Sequence, residues 1–249
     1  MEHEGCYKHN FVVQSVIDDA RRKGKRAVVT WLDISNAFGS LPHKFISQAL
    51  TLLNLPRGLV EIVEEMYLGS STRVRTGGGY TGPIPVSAGV KQGDPLSPIL
   101  FNLAIEAVVR VAQKLAPSHG YSISTDHVFS ILAYADDLCL IARGDEEMRG
   151  LLDAVGRVAS WAGLKFKASK CASLDVDCRK KRMVPPTPFQ VQGNVTIVLA
   201  EGEEYRHLGV PTGYKVWGSK VEKGPLAKLD REVKRLAKAW MFQPRRASA

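Results

Sequence analysis

The sequence VFSILAYADDLCLIA, residues 128–142, places two adjacent carboxylates between two short apolar runs. Apolar runs of this length predict two buried strands, with Asp136 and Asp137 where the first strand turns into the second. Two ionised carboxylates side by side are unfavourable unless a cation offsets their charge, and oxygen ligands on a hairpin are what Mg²⁺ takes. Asp is also common in solvated turns, so this stretch alone leaves both a metal site and an ordinary hairpin tip open.

Length and composition place the chain among folded proteins with a basic surface. Its 249 residues are enough for one large or two modest domains. Hydrophobic residues make up 45% and charged residues 24%, which is ordinary for a soluble globular protein. The net charge of +9 favours a polyanionic partner, although many basic proteins bind no nucleic acid.

Targeting signals and paired cysteines are not evident in the sequence. The first residues, MEHE, are acidic and are followed by no apolar core, so no signal peptide is predicted. The longest apolar stretches are interrupted by Asp136 and Asp137, and no membrane span is predicted. The four cysteines lack the spacing of a zinc site and predict reduced thiols. We therefore expect an intracellular protein, in the nucleus or the cytoplasm.

Hydrophobic periodicity predicts helices and strands along the rest of the chain. A strand is predicted at residues 27–33, where β-branched and apolar residues end on Asp33. The predicted helices are residues 11–23, a helix opened by Pro42, residues 59–68, a helix after Ser97 and Pro98, residues 148–162, and a basic amphipathic helix at about 224–241. Ser97 is expected to be an N-cap and Pro98 the first helical residue.

Residues 71–88 alternate polar and apolar positions around three glycines and predict a β-hairpin. Arg73 and Arg75 are expected on one face of its first strand, because side chains two residues apart share a face. They are either contacts to phosphate groups or ordinary charges on a solvated surface.

The two acidic sites lie at the ends of predicted strands. If those strands are neighbours in one sheet, Asp33, Asp136 and Asp137 converge, which makes a site for two metal ions roughly 4 Å apart. Phosphoryl transfer depends mainly on positioning and charge neutralisation, so acids, metals and a few cations are sufficient for it. The alternative is three unrelated surface acids.

Three motifs follow one another in a fixed order. Residues 33–38 have the form D-x-x-x-x-F, Gln92 and Gly93 open a loop before Ser97-Pro98, and residues 134–137 have the form Y-x-D-D. Together they resemble the palm motifs of reverse transcriptases. The surrounding sequence, GVKQGDPLSPILFNLAIE and YADDLCLIA, is similar to that of reverse transcriptases from non-LTR, LINE-type retrotransposons. The resemblance covers residues 27–210.

This resemblance implies an α/β (α+β) fold, a polymerase palm with a small antiparallel sheet backed by helices. It divides the chain into a fingers remnant with a connecting helix at 1–26, the palm at 27–210, and the start of the thumb, with its basic helix, at 211–249. Only residues 5–10 would belong to the fingers. Neither an endonuclease domain nor a Cys/His knuckle is visible in the sequence.

The resemblance also implies RNA-directed DNA polymerase activity, in which a primer 3′-OH attacks the α-phosphate of a dNTP and releases pyrophosphate. The implied partners are an RNA template, a DNA primer or target, and dNTP; the oligomeric state is left open. Two Mg²⁺ ions, with Mn²⁺ as a substitute, would be held by Asp33, Asp136 and Asp137. Lys170 would stand near the leaving pyrophosphate as a general acid.

Further positions carry implied contacts to nucleotide and nucleic acid. The amides of Ile34, Ser35, Asn36 and Ala37 would hold the triphosphate, and Phe38 would exclude a ribose 2′-OH. Gln92 and Gly93 would lie against the nascent base pair, where glycine permits close backbone approach. Residues 205–209 resemble a primer-grip hairpin, with contacts assigned to Tyr205, His207, Leu208 and Gly209.

Two other classes of protein remain as alternatives. One is a catalytically inactive, element-derived protein that binds nucleic acid; the intact acids and Phe38 argue against it, and the missing fingers argue for it. The other is a different palm-type enzyme, an RNA-dependent RNA polymerase or a nucleotide cyclase. Phe38 and Tyr134 argue against both of these enzymes.

Overall fold

The structure, a computed structural model, describes residues 5–91, 93–124, 127–179 and 182–215. In these residues the helices are α1 (Gly5–Lys23), α2 (Ala37–Ser40), α3 (His43–Leu52), α4 (Arg57–Tyr67), α5 (Ser97–His119) and α6 (Asp145–Trp161), and a 3₁₀ turn covers Ala168–Lys170. The strands are β1 (Arg26–Asp33), β2 (Ser71–Thr72), β3 (Arg75–Thr76), β4 (Gly79–Tyr80), β5 (Ile84–Pro85), β6 (Tyr121–Ser124), β7 (His127–Phe129), β8 (Ile131–Tyr134), β9 (Asp137–Ala142), β10 (Ala172–Asp177), β11 (Gln190–Val191), β12 (Asn194–Val195), β13 (Ile197–Val198), β14 (Tyr205–His207) and β15 (Val210–Thr212).

A five-stranded sheet forms the centre of the fold, in the order β13-β10-β1-β9-β8. β1 is the middle strand and pairs antiparallel with both β9 and β10. The predicted α/β fold is confirmed, with one addition: the edge strand β13 runs parallel to β10. Because β1 carries apolar side chains on both faces, it suits a position covered on both sides.

Helices cover the two faces of this sheet. Val28 and Leu32 of β1 pack into a cluster with residues from α3, α5 and α6. Val29 and Trp31, which alternate with them along the strand, pack against α1 on the opposite face. The predicted apolar stripe of α6 is largely buried, so the amphipathic helix predicted at 148–162 is confirmed.

Helix α1 is longer than predicted and belongs to the core. The apolar pattern predicted a start at residue 11, but the helix begins at Gly5. Asn10 is buried and donates from its side chain to the Cys6 carbonyl, a contact that a hydrophobic pattern does not register. Residues 5–10, assigned to the fingers from the sequence, thus form the first turns of a helix that packs on the sheet.

The start of α5 corrects the predicted cap. The residue before the helix is Leu96, and Ser97 is already its first residue. The Ser97 hydroxyl donates to the Lys91 carbonyl at 2.6 Å instead of capping the helix. The Leu96 amide donates to the Asp94 side chain at 2.8 Å, so this upstream acid closes the loop.

The hairpin at 71–88 is present as two short ladders, β2 with β5 and β3 with β4. Arg75 lies in β3, but Arg73 lies between the two ladders, so the prediction that both project from one face of one strand is wrong. Both side chains are exposed.

The predicted division into fingers, palm and thumb remains a prediction. Strand β15 extends across the predicted palm–thumb boundary, and the basic helix predicted at 224–241 lies outside the described residues. Across the four described ranges, no helix has both the length and the apolar composition that a membrane crossing requires.

Candidate active site

Sheet pairing brings two of the predicted acids together. Asp33 ends β1 and Asp137 begins β9, and they are paired directly in the antiparallel register. Tyr134 pairs with Asp137 across the β8–β9 hairpin, so Ala135 and Asp136 form a two-residue turn. Ala135 has a φ of 51°, a left-handed conformation that costs a non-glycine residue about 1 kcal/mol. A strained turn thus presents Asp136 beside the paired carboxylates.

The electrostatics of this turn show mutual repulsion between acids. Burial raises the pKa of Asp137, and the charges of Asp136 and Asp33 raise it further, while Lys170 acts in the opposite direction. The Lys170 Nζ lies 3.2 Å from Asp33 Oδ2 and forms a salt bridge with it. Its side chain is 57% exposed, whereas that of Asp33 is 19% exposed, so the ammonium reaches the carboxylate from the solvent side.

The donor set suits a divalent cation, because three carboxylate groups repel one another and a single ammonium offsets only part of their charge. Among the described residues, however, no group of three or more His, Cys, Asp or Glu side chains is close enough to hold a metal ion as it stands. The assignment of Asp33, Asp136 and Asp137 as metal ligands therefore stays a prediction.

The backbone around Asp33 is held by the segment that follows α6. The Lys167 amide donates to the Asp33 carbonyl at 2.9 Å, and the Ser35 amide donates to the Lys165 carbonyl at 2.8 Å. The Asp33 amide points to the Cys171 Sγ at 3.5 Å. Because the Ser35 amide is already bonded, the prediction that it is free for a triphosphate does not hold in this structure.

The remainder of the 33–38 motif forms a tight turn into α2. Asn36 has a φ of 47° and is exposed, Ala37 is buried, and Ile34 is buried beside Phe166. Phe38 is half-buried and stacks on Phe101, with ring centroids 4.7 Å apart. The triphosphate contacts of Ile34, Asn36 and Ala37 and the gating role of Phe38 remain predictions.

The loop after β5 packs closely against Phe38. The Val90 amide donates to the Phe38 carbonyl at 2.7 Å. Gly89 has a φ of 96°, and a Cβ at this position would lie 3.1 Å from the Gly39 carbonyl oxygen. Gly93 also has positive φ, and no described protein atom would lie within 4 Å of its Cβ. Gln92 lies outside the described residues.

Tyr205 makes two internal contacts beside the carboxylates. Its ring stacks on Trp31 with centroids 5.0 Å apart, and its hydroxyl donates to the Lys170 carbonyl at 3.0 Å. Burial raises the pKa of Tyr205 to about 12, and the charges of Asp137 and Asp33 add to this shift. Tyr205 therefore ties the Lys170 backbone to the central sheet.

The remaining residues of the predicted primer grip divide into a buried and a surface part. His207 is only 2% exposed and cannot reach a nucleic acid from this position, so its predicted contact is wrong. Leu208 and Gly209 form the two-residue turn between β14 and β15, and both have positive φ, as type I′ turns require. The predicted contact of Leu208 and Gly209 with the primer remains a prediction.

Comparison with known proteins identifies the family. The sequence profile described as "Reverse transcriptase (RNA-dependent DNA polymerase)" matches residues 3–212. The chain belongs to the reverse transcriptase family. This confirms the resemblance inferred from the palm motifs.

Two similar proteins are retrovirus-related Pol polyproteins from R2 retrotransposable elements. The Pol polyprotein from type-2 retrotransposable element R2DM of Drosophila melanogaster is 30% identical over 239 residues, covering 95% of this chain and 22% of the relative. The Pol polyprotein from type-1 element R2 of Nasonia vitripennis is 30% identical over 214 residues, covering 83% of this chain and 20% of the relative. The chain thus spans about a fifth of these relatives' length.

Solved telomerase structures share the fold of this reverse transcriptase chain. Telomerase of Candida tropicalis, in complex with the TWJ fragment of telomeric RNA, aligns with a TM-score of 0.52 at 12% identity, over 76% of this chain and 32% of that one. The corresponding Candida albicans complex aligns with a TM-score of 0.50 at 15% identity, over 76% of this chain and 33% of that one.

Reverse transcriptases as a family use divalent metal ions.

Sequence reasoning missed three residues that support the site: Trp31, Gly89 and Cys171. Gly89 is the one with a local signal, since a glycine in a loop beside a motif suggests close backbone approach. The thiol of Cys171 and the ring of Trp31 act through neighbours distant in sequence, and no local pattern indicates such contacts.

Proposed function

We propose that this chain carries the polymerase centre of an RNA-directed DNA polymerase, which joins a dNTP to a primer 3′-OH on an RNA template. The observation that supports the proposal most strongly is the direct pairing of Asp33 with Asp137, with Asp136 in the adjoining turn. In a member of the reverse transcriptase family, such carboxylates are suited to nucleotidyl transfer.

In this proposal Asp33, Asp136 and Asp137 hold two divalent ions, Mg²⁺ with Mn²⁺ as a substitute. Bound there, the ions neutralise charge on the attacking and leaving oxygens. Lys170, already 3.2 Å from Asp33, supplies a positive charge at the edge of the site and donates a proton to the leaving pyrophosphate. Tyr205 keeps the Lys170 backbone in place through its hydroxyl.

The loop from Ile34 to Phe38 receives the dNTP. The amides of Ile34, Asn36 and Ala37 line the triphosphate, and Phe38, stacked on Phe101, leaves no room for a ribose 2′-OH.

Gln92 and Gly93 lie against the nascent base pair. No described protein atom would lie within 4 Å of a Cβ at Gly93, and this open space suits such an approach.

The nucleic acids contact positions at the protein surface. Arg73 and Arg75 are exposed and bind phosphate groups, while Leu208 and Gly209 at a hairpin turn orient the end of a DNA primer or target. The net charge of +9 supports attraction to the RNA template and DNA. We also propose an intracellular location, in the nucleus or the cytoplasm.

Primer extension on an RNA template tests this function. Wild-type chain is incubated with Mg²⁺ and either dNTPs or NTPs, and parallel reactions contain EDTA. Extension that requires dNTPs and stops with EDTA supports the proposal. Salt-sensitive binding of the primer–template without extension would overturn it for this chain and would support the alternative, a nucleic-acid-binding protein without catalysis.

A further inference from the structure

The segment that holds the Asp33 backbone, residues 164–167, also forms hydrogen bonds on the side that faces away from β1. Residues 164–167 alternate between buried and exposed side chains, as an extended segment does. The carbonyl of Lys165 and the amide of Lys167 face the end of β1, where they bond Ser35 and Asp33. The carbonyl of Leu164 and the amide of Phe166 bond in the opposite direction.

One side chain takes both of these outward-facing backbone groups. The Phe166 amide donates to Gln192 Oε1 at 2.9 Å, and Gln192 Nε2 donates to the Leu164 carbonyl at 2.9 Å. Nε2 also lies 2.9 Å from Ser160 Oγ. The carboxamide of Gln192 therefore does what a neighbouring strand would do, since it offers one acceptor and one donor to an extended segment.

A tight turn delivers this carboxamide. Gln192 and Gly193 connect β11 to β12, and both have positive φ, 49° and 79°. Left-handed backbone is unfavourable for a glutamine, by about 1 kcal/mol. Sustained strain of this kind requires compensating contacts, and the hydrogen bonds of the side chain provide them.

We propose that Gln192 is a positioning residue for the reaction, which fixes residues 164–167 and through them the segment from Asp33 to Phe38. Leu164 and Phe166 are buried, so their outward backbone groups need partners within the protein. Without the carboxamide the segment loses its outer partner, and the hydrogen bonds to Ser35 and Asp33 open more often. The catalytic consequence rests on the proposed function, whereas the structural coupling does not.

Amide hydrogen exchange followed by NMR tests the coupling without any activity. In Gln192→Met, which keeps the size of the side chain but offers neither donor nor acceptor, exchange of the Phe166 amide accelerates about tenfold. The Ser35 and Lys167 amides, which do not touch Gln192, accelerate at least about threefold, while Val29 in the middle of β1 is unchanged. Acceleration confined to Phe166 would overturn the proposal, because Gln192 would then be only a local cap.

Three further variants separate the parts of this contact. Gln192→Glu keeps an acceptor for Phe166 but repels the Leu164 carbonyl, so its effect on Ser35 is intermediate. Ser160→Ala removes the hydrogen bond between the carboxamide and Ser160, which lies outside residues 164–167. Asn194→Ala removes a side chain of the β11–β12 hairpin that donates to the Gln192 carbonyl at 3.2 Å. Both leave exchange at Ser35 and Lys167 at the wild-type rate; acceleration of these two amides in either variant would overturn the proposal.

Nucleotide selectivity tests the catalytic consequence. Displacement of the loop before Phe38 raises KM for dNTP several-fold and lowers the preference for dNTP over NTP in Gln192→Met. A loss of folded protein would instead lower kcat for both nucleotides equally and leave KM and preference unchanged, which would overturn the positioning role. If wild-type chain extends no primer, the proposed function fails, and the exchange measurement alone decides whether Gln192 positions the segment.

Discussion

Asp33 and Asp137 stand directly opposite each other on neighbouring antiparallel strands, the last residue of β1 against the first of β9. Like charges in such a pair destabilise a sheet, and the raised pKa of Asp137 reflects burial together with the nearby charges of Asp136 and Asp33. The arrangement is therefore a weak point of the fold in the absence of a cation.

Removal of one of these charges is expected to stabilise the protein. Asp137→Asn should raise the free energy of unfolding by about 0.5–1 kcal/mol in EDTA at neutral pH, because a half-buried repulsive charge is lost. Urea unfolding measures this. Asp153→Asn is the control: it removes an acid paired with Arg157 on the exposed face of α6 and should be neutral or slightly destabilising. Destabilisation by Asp137→Asn would show that the Asp137 charge stabilises the folded state and is not repelled by Asp33 and Asp136.

Phe38→Val opens space at the proposed gate. We expect incorporation of NTP relative to dNTP to rise at least about tenfold, because the smaller side chain no longer excludes a 2′-OH. The lost stacking on Phe101 should also cost about 1–2 kcal/mol of stability. Phe101→Leu serves as the control, since it disturbs the same stack from its fully buried side; unchanged selectivity in Phe38→Val would argue against the gate.

Gly89→Ala tests the packing of the loop on Phe38 and Gly39. The added Cβ would meet the Gly39 carbonyl oxygen at 3.1 Å and its Cα at 3.2 Å, at a φ of 96° that L-residues avoid. We expect a loss of about 1–3 kcal/mol, measured by chemical unfolding. Gly58→Ala, at a position where no described atom beyond the surrounding helix backbone lies within 4 Å of the added Cβ and φ is not positive, should change stability by less than about 1 kcal/mol. Equal effects would contradict the close approach.

The lowered pKa of His207 predicts that the protein loses stability in acid. Burial, with a smaller effect of His9, lowers the pKa of His207 to about 4, below the value of about 6.5 expected in the unfolded chain. The unfolded state then binds the proton more readily, so stability present above pH 6.5 is lost as the pH falls towards 4, by about 3 kcal/mol in total. Unfolding curves at several pH values compare wild type with His207→Leu, whose acid-induced loss should be smaller. Parallel curves would refute the assignment.

Features set by local periodicity could be predicted from the sequence. The apolar spacing of α6 and the continuous apolar run of β1 reflect burial of one stripe and of two faces, respectively. The carboxylates at 136 and 137 could be placed in a turn because two apolar runs flank them. The palm fold was implied by the resemblance of the three ordered motifs to those of reverse transcriptases.

Features that depend on partners distant in the chain could not be predicted. His207 and Tyr205 belong to a hairpin that resembles a nucleic-acid contact, yet one is buried and the other stacks on Trp31, 174 positions earlier. In the sequence Gln192 has no feature that distinguishes it from other turn residues; only the structure shows its hydrogen bonds to residues 164–167. Tertiary hydrogen bonds of this kind leave no period in the sequence.

Primer extension by Asp136→Asn, under single-turnover conditions on an RNA template with dNTPs and Mg²⁺, is the sharpest test of the β8–β9 hairpin as the polymerase centre. Asp153→Asn, an exposed acid of α6, is assayed beside it as a control for charge removal. We expect Asp136→Asn to slow extension at least about a thousandfold while primer–template binding and folding persist, and Asp153→Asn to match wild type. Extension by Asp136→Asn at the wild-type rate would contradict the assignment of this hairpin as the polymerase centre.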